Sequence, residues 1–318
     1  MLIKKTLKSL IVYFILQLAT LHAYELDIKL LQHTFYKKVL INNIYHKRFF
    51  KTLEKKCLLS DGHCFRKEIK KLQKQYSLLN DSKLQKLYNK HVLEQISTDL
   101  YIKKLKSYLR KHISYFENSQ FITFIDISKQ LLFLLIYEKK HDTFHLIGKD
   151  LISTGDIHRE KEVIIGDDHF LKTPTGIFEI KSGWRSEGEI LDDKSTLPYG
   201  QKDRYVFYFG HQESVRYNTF DQNGTKLTEK KEWTLIKDKL SFALHAHQSS
   251  RQLGKASSHG CIRISNELNF FLDNHHVLHQ KTIKEDKWVS RFSQAPMNPK
   301  YQNIAGRYLF IVDSLPKD

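Results

Sequence analysis

The stretch from His245 to Asn266 reads His-Ala-His-Gln-Ser-Ser-Arg-Gln-Leu-Gly-Lys-Ala-Ser-Ser-His-Gly-Cys-Ile-Arg-Ile-Ser-Asn. It brings together a cysteine, Cys261, and three imidazoles, His245, His247 and His259. A thiol at its ordinary pKa is only a few per cent thiolate at neutral pH, so a nearby imidazole that takes the proton raises the reactive fraction. Gly260 beside the sulfur has no side chain to obstruct a substrate and tolerates unusual backbone angles. Backbone N–H groups around Gly260 and Cys261 are the expected donors to a tetrahedral oxyanion. If the chain enters this stretch as a strand, His245 and His247 share one face, so either is a candidate base.

Outward from this stretch the texture is that of a β domain. Phe121 to Ser128 and Leu131 to Tyr137 are runs of β-branched, aromatic and aliphatic residues, which predicts two strands joined by a turn at Ser128-Lys129-Gln130. Further strands are expected at Gly176 to Ile180, Tyr205 to Phe209, Phe242 to Leu244 and Tyr308 to Val312. Polar residues and glycines between Lys181 and Lys202, and between Thr219 and Lys239, read as long loops of the kind that form functional lids.

From Tyr24 to about Asn118 the composition changes to Lys, Leu, Gln and Glu, with no proline and Gly62 as the one glycine. Apolar residues recur at helical spacing in Ile69, Leu72, Tyr76 and Leu79, and again in Leu84, Leu87 and Leu93 after the turn-forming Asn80-Asp81-Ser82. A helical hairpin is predicted there. The fold class is therefore α+β: a helical N-terminal region, residues 24–118, followed by a mainly-β domain, residues 119–318.

Residues 1–23 place Lys4, Lys5 and Lys8 before an apolar run from Leu10 to Ala19 and a small Ala23, the order of a secretory signal peptide. The run is shorter than the roughly 20 apolar residues of a spanning helix. Contact with a membrane is expected only if this leader is retained. Export gives the cysteine count meaning. Of three cysteines, Cys57 and Cys64 are close enough in sequence for a local disulfide, which leaves Cys261 as the odd thiol. The formal charge is +17. A basic exported protein rarely meets nucleic acid; wall peptides with free carboxylates fit that compartment, and on charge alone a Lys-rich surface with no dedicated partner fits equally well.

The motif resembles the signature of the L,D-transpeptidase (YkuD-type) catalytic domain: an upstream His, a spacer, then Ser/Thr-His-Gly-Cys, an apolar residue and Arg or Asn. Here these are His245 and Ser258-His259-Gly260-Cys261-Ile262-Arg263. From average residue usage, the six-residue string should arise by accident on the order of once per million chains of this length. Lys172-Thr173-Pro174-Thr175-Gly176, Asp126-Ile127-Ser128-Lys129-Gln130 and Ser153-Thr154-Gly155 match further landmarks of the family, and the likeness spans about Phe121 to Asp313. The resemblance implies that Cys261 is the nucleophile and His245 the base, oriented by the carbonyl of Ala246. It gives His259 a supporting role and lets Ser258, Gly260 and Arg263 shape the loop or contact substrate, Arg263 either binding a carboxylate or bracing the loop. His245 is preferred over His247 because its spacing to the cysteine fits the family better.

The implied reaction is acyl transfer on a peptidoglycan stem peptide. The thiolate attacks the carbonyl of the third residue and releases D-alanine. The thioester then passes to an amine from a second stem peptide, a lipoprotein lysine or a D-amino acid, with no metal or organic cofactor. Hydrolysis of the same intermediate, as an L,D-carboxypeptidase or amidase, is the rival enzyme reading, and a non-catalytic wall-binding protein the rival of another class. Two features remain. Asp273 to His279, rich in histidine, reads as a solvated loop, and Trp184, Trp233 and Trp288 read as core or lid anchors with sugar stacking as the alternative.

Overall fold

The computed structural model describes residues 26–40, 99–157, 171–188, 199–225, 227–247, 253–254, 256–281 and 299–314. The leader, the hairpin around residues 69–93, Cys57, Cys64 and Trp288 lie outside them. The described elements are helix α1 (Ile28–Phe35), helix α2 (Asp99–Lys111), strands β1 (Gln120–Asp126), β2 (Leu131–Glu138), β3 (Thr143–Leu151), β4 (Gly176–Glu179), β5 (Ser182–Arg185), β6 (Tyr205–Asn218), β7 (Thr234–Ala246) and β8 (Ile262–Ile264), helix α3 (Asn266–Asn274) and strand β9 (Tyr308–Val312). None of these helices is long and apolar enough to cross a membrane.

The strands form two sheets, β3-β2-β1-β9-β4 and β5-β6-β7-β8. In the first sheet both faces are covered, which is why β1 and β2 read as continuous apolar runs without alternation. Ile125, Leu132, Leu134 and Ile136 face a core shared with Phe207, Phe209, Phe242 and Leu244 of the second sheet, α1 and α3. The opposite face, through Phe124, Phe133, Leu135 and Phe310, packs against Tyr101, Leu105 and Leu109 of α2. That helix is also pinned by a buried hydrogen bond, in which the Tyr101 hydroxyl donates to the Asp126 carboxylate at 2.6 Å.

The expected turn between the first two strands is present, and Gln130 at its end adopts φ 54°. Its side chain explains why a non-glycine residue is held there. The amide nitrogen donates to the Ile127 carbonyl and the Thr154 hydroxyl, and the amide oxygen accepts from the Thr154 N–H at 3.0 Å.

Three sequence expectations require correction. Residues 181–202 are not loop throughout, because β5 occupies Ser182–Arg185. The polar stretch 219–239 already contains the first half of β7, which pairs with a β6 that extends to Asn218. This outer arm exposes or half-exposes most of its residues, so it lacks the apolar pattern that marks a buried strand; Arg216 and Asp238 pair across it at 2.8 Å. The segment Asp273 to His279 is not a solvated loop: it ends α3 and turns inward, burying Asp273, His276, Val277, Leu278 and His279.

Helix α1 sits on β3 through a close contact. A Cβ built on Gly148 would lie 2.2 Å from two ring carbons of Phe35, and the Gln32 amide donates to the Leu146 carbonyl at 2.7 Å. Gly148→Ala is therefore expected to destabilise the protein by about 1–3 kcal/mol in urea unfolding. Combining it with Phe35→Ala should restore part of that loss; strictly additive effects would show that the ring does not seat on this glycine.

Candidate active site

Strand alternation decides what the second sheet turns away from the shared core. Phe207, Phe209, Phe242, Leu244, Ile262 and Ile264 point into the core, so the residues between them form the other face. Ser241, Ala243 and His245 of β7, Arg263 of β8 and Cys261 just before it all share that outer face. The parallel register pairs His245 with Arg263 directly.

His245 is buried, and its Nδ1 lies 2.8 Å from the Ala246 carbonyl oxygen. A carbonyl only accepts, so Nδ1 carries the proton and Nε2 presents its lone pair. Burial pushes the imidazole pKa down to about 3, against the pull of the Ala246 carbonyl and with help from the positive charge of Arg263 and from His247. Cys261 is raised above the usual thiol value by burial, while the Ala243 backbone N–H and the Arg263 guanidinium pull it the other way. The resting pair is thus a neutral thiol and a neutral imidazole.

His247 shares the outer face, and its backbone N–H donates to the Ile264 carbonyl at 2.8 Å, but its ring is half-buried rather than enclosed. His259 is half-buried in the turn before Cys261. Arg263 donates to the Ser257 carbonyl at 3.1 Å, bracing the loop that leads to the cysteine. Ser258 accepts from the Gly260 N–H at 3.1 Å and donates to the Cys261 carbonyl, closing the turn. The Gly260 N–H is thereby engaged by Ser258.

Two landmark segments converge on this turn. The Thr173 hydroxyl accepts from the Gly155 N–H at 2.8 Å and donates to the Gly260 carbonyl at 2.6 Å. Gly260 has φ 130°, and a Cβ there would approach Phe242 and Leu171 within 2.9 Å. On Gly155 a Cβ would fall 2.0 Å from the Leu171 carbonyl oxygen and 2.6 Å from Gly260 Cα. Residues 171–173 are in turn held by β6, through the Lys172 N–H to the Val215 carbonyl at 3.0 Å and the Ser214 hydroxyl to the Lys172 carbonyl.

Sequence reading missed Tyr199 and Gly200. The Tyr199 ring stands edge-on to His245, with centroids 5.1 Å apart and planes at 84°. Burial raises its phenol pKa, and the charge of a Cys261 thiolate raises it further. Gly200, at φ 82°, lies so close to Ala246 that a Cβ would sit 2.6 Å from the alanine methyl. The signal was present only as a tyrosine-glycine pair at the end of an apparent loop.

Trp233 donates to the Leu227 carbonyl at 3.2 Å and anchors the segment between β6 and β7. Among the described residues no cluster of three or more His, Cys, Asp or Glu side chains is arranged to hold a metal. His279 instead bonds Asp273 at 3.0 Å, and Arg185 forks onto the same carboxylate.

Residues 120–275 match the YkuD family, the L,D-transpeptidase catalytic domain. Among solved structures, the chain is similar to an L,D-transpeptidase from Xylanimonas cellulosilytica, at 16% identity over 62% of each chain with a TM-score of 0.29. It is also similar to Bd1075 of Bdellovibrio bacteriovorus, at 18% identity over 63% of this chain and 50% of that one, with a TM-score of 0.29. A third is the helical cell shape determining protein Pgp2 from Campylobacter jejuni, at 18% identity over 55% and 47%, with a TM-score of 0.28. The chain thus spans less than two thirds of the length of each of these. No curated protein matches it. Residues 120–275 thus carry an L,D-transpeptidase catalytic domain of the YkuD family.

Proposed function

We propose that this protein is a peptidoglycan L,D-transpeptidase with Cys261 as nucleophile and His245 as base, exported to the periplasm by its first 23 residues and working on the cell wall. The observation that carries the reading is the fixed tautomer of His245. Its Nδ1 proton is committed to the Ala246 carbonyl, so Nε2 is the acceptor on the face that also bears Cys261. The family match supports the reaction class.

The thiol proton passes to His245 Nε2 as the sulfur attacks the carbonyl of the third stem-peptide residue, forming a C–S bond and a tetrahedral oxyanion. The C–N bond to the terminal D-alanine breaks, its nitrogen takes the proton from His245, and a thioester remains. An acceptor amine, from a second stem peptide, a lipoprotein lysine or a D-amino acid, loses a proton to His245 and displaces the sulfur, which takes that proton from His245 and returns to the neutral thiol. With both partners neutral at rest, proton transfer accompanies attack rather than preceding it. Arg263, on the face that bears the sulfur, is the cation for a substrate carboxylate, Ser258 and Gly260 hold the turn, and His259 supports the catalytic pair. Helix α2, at the end of the proposed N-terminal region of residues 24–118, packs onto the proposed catalytic domain of residues 119–318.

Incubation with a tetrapeptide-stem muropeptide and a D-amino acid, read by mass spectrometry, should show loss of D-alanine with amine exchange, abolished in Cys261→Ala. Release with water alone would make the protein an L,D-carboxypeptidase, and no reaction in the wild type would favour a wall-binding role. Thr173→Val keeps the shape but removes the bridge between Gly155 and Gly260; kcat should fall about 10- to 100-fold with KM little changed. An unchanged kcat would remove Thr173 from the positioning of the turn.

Protonation supplies a separate test on stability. His245 has a folded pKa of about 3 against 6.5 for the free side chain, so between those values the unfolded chain binds the extra proton. Its contribution is therefore complete above pH 6.5 and is lost as pH falls towards 3. Melting temperatures should decline from pH 7.5 to 4.5, and less steeply in His245→Asn; equal slopes would contradict a buried neutral imidazole.

A further inference from the structure

The outer face of the second sheet continues well beyond the cysteine. From His245 the Tyr199 ring leads to Trp184 of β5, with centroids 5.6 Å apart, and Trp184 leads to Tyr208 of β6 at 6.1 Å. Trp184 pairs with Val206, and Tyr208 with Ser182 and Ala243, so both rings emerge on the face that bears His245. All three rings are half-buried, keeping part of each surface open.

A polar rim closes the far end. The Tyr208 hydroxyl lies 3.1 Å from His211 Nδ1, the Ser241 hydroxyl lies 3.0 Å from His211 Nε2, and the two hydroxyls are 3.3 Å apart. His211 and Ser241 are exposed. In a neutral imidazole one ring nitrogen donates and the other accepts, so this rim offers both donors and acceptors. The strip holds no permanent charge of its own. Arg185, next to Trp184, turns to the opposite face and forks onto Asp273.

We propose that Trp184, Tyr208, His211 and Ser241 form a subsite for the N-acetylated sugar ring of the glycan that carries the stem peptide, with Tyr199 joining it to the thiol. The proposal rests on the peptidoglycan reading above. Charge separates the two parts of the substrate: Arg263 stands at the sulfur, where a peptide carboxylate arrives, and the neutral strip lies outward. A sugar ring presents an apolar C–H face that stacks on aromatic rings and a rim of hydroxyl and acetamido groups that requires both donors and acceptors. The polar ends of Tyr208, His211 and Ser241 match that rim, whereas a charged peptide would find no counter-ion among these four residues.

The test compares KM for a disaccharide-tetrapeptide and for the free tetrapeptide in the wild type, Trp184→Ala and His211→Ala. The wild type is expected to favour the disaccharide form by about 5- to 10-fold, and the ratio should fall towards one in both variants. Equal KM values in the wild type, or an unchanged ratio in the variants, overturns the subsite. The exposed His211 keeps the test in force if Trp184→Ala does not fold. In parallel, Cys261→Ala protein is titrated by calorimetry with an N-acetylglucosamine tetramer. Binding that weakens about 5- to 10-fold on adding Trp184→Ala or His211→Ala supports the subsite, and absence of binding overturns it. If the wild type turns over neither peptide, the transpeptidase reading fails, and the calorimetry alone decides the strip.

Discussion

The geometry around Cys261 depends on one hydroxyl. Thr173 accepts from the Gly155 N–H and donates to the Gly260 carbonyl, and so ties three chain segments together in the interior. A residue that does both at this reach must carry a short hydroxyl side chain, and losing it would strand a buried donor and a buried acceptor at about 1–3 kcal/mol each. The two glycines follow from the same contact, since a methyl on Gly155 would overlap the Gly260 backbone and one on Gly260 would press on Phe242 and Leu171. What looks in sequence like three separate short motifs is one junction. Gln130 extends it by one link, because its amide holds Thr154 beside Gly155.

The two sheets divide the labour on physical grounds. The first is buried on both faces and carries little besides packing, with Asp126 held protonated-side up in pKa by burial despite its bonds to Tyr101, Lys129 and Ser314. The second spends one face on the shared core and keeps the other for polar and aromatic groups. Low dielectric surrounds His245 and Cys261 there, which costs the charged form of each. A preformed ion pair between them is therefore disfavoured.

The parts of the fold legible in sequence were those with a local signature. Continuous apolar runs marked β1 and β2, and the Ser258 to Arg263 string marked the candidate site. The β6–β7 arm was illegible beyond its base because its stability comes from cross-strand pairing and from Arg216–Asp238, not from an apolar face. Tyr199 and Gly200 were hidden for a different reason: their meaning lies in what they touch, 46 positions later at His245 and Ala246. No periodicity encodes such a contact. The histidines after Asp273 misled in the opposite sense: polar composition suggested solvent, whereas His279 is buried on a hydrogen bond to Asp273, His275 bonds the Phe271 carbonyl, and His276 is buried with neither ring nitrogen bonded.

That buried segment also shows why the fold extends past residue 275, where the family match ends. Strand β9 lies between β1 and β4, pairing parallel with Phe124 through Phe310 and antiparallel with Ile177 through the same residue. Without it the first sheet would be split, and β4 would have no neighbour in that sheet. The connection that carries the chain there is fixed to the second sheet as well, because Asp273 holds both Arg185 of β5 and His279, while Tyr205 packs on that imidazole at 4.5 Å. β4 opens just after Thr173, so the strand that closes the first sheet also fixes the far side of the segment on which the Cys261 turn rests. The sheet therefore cannot be completed until residues about 190 apart in sequence have met, and such long-range pairing is slow to form. The site rests on contacts that no single segment of the chain could make alone.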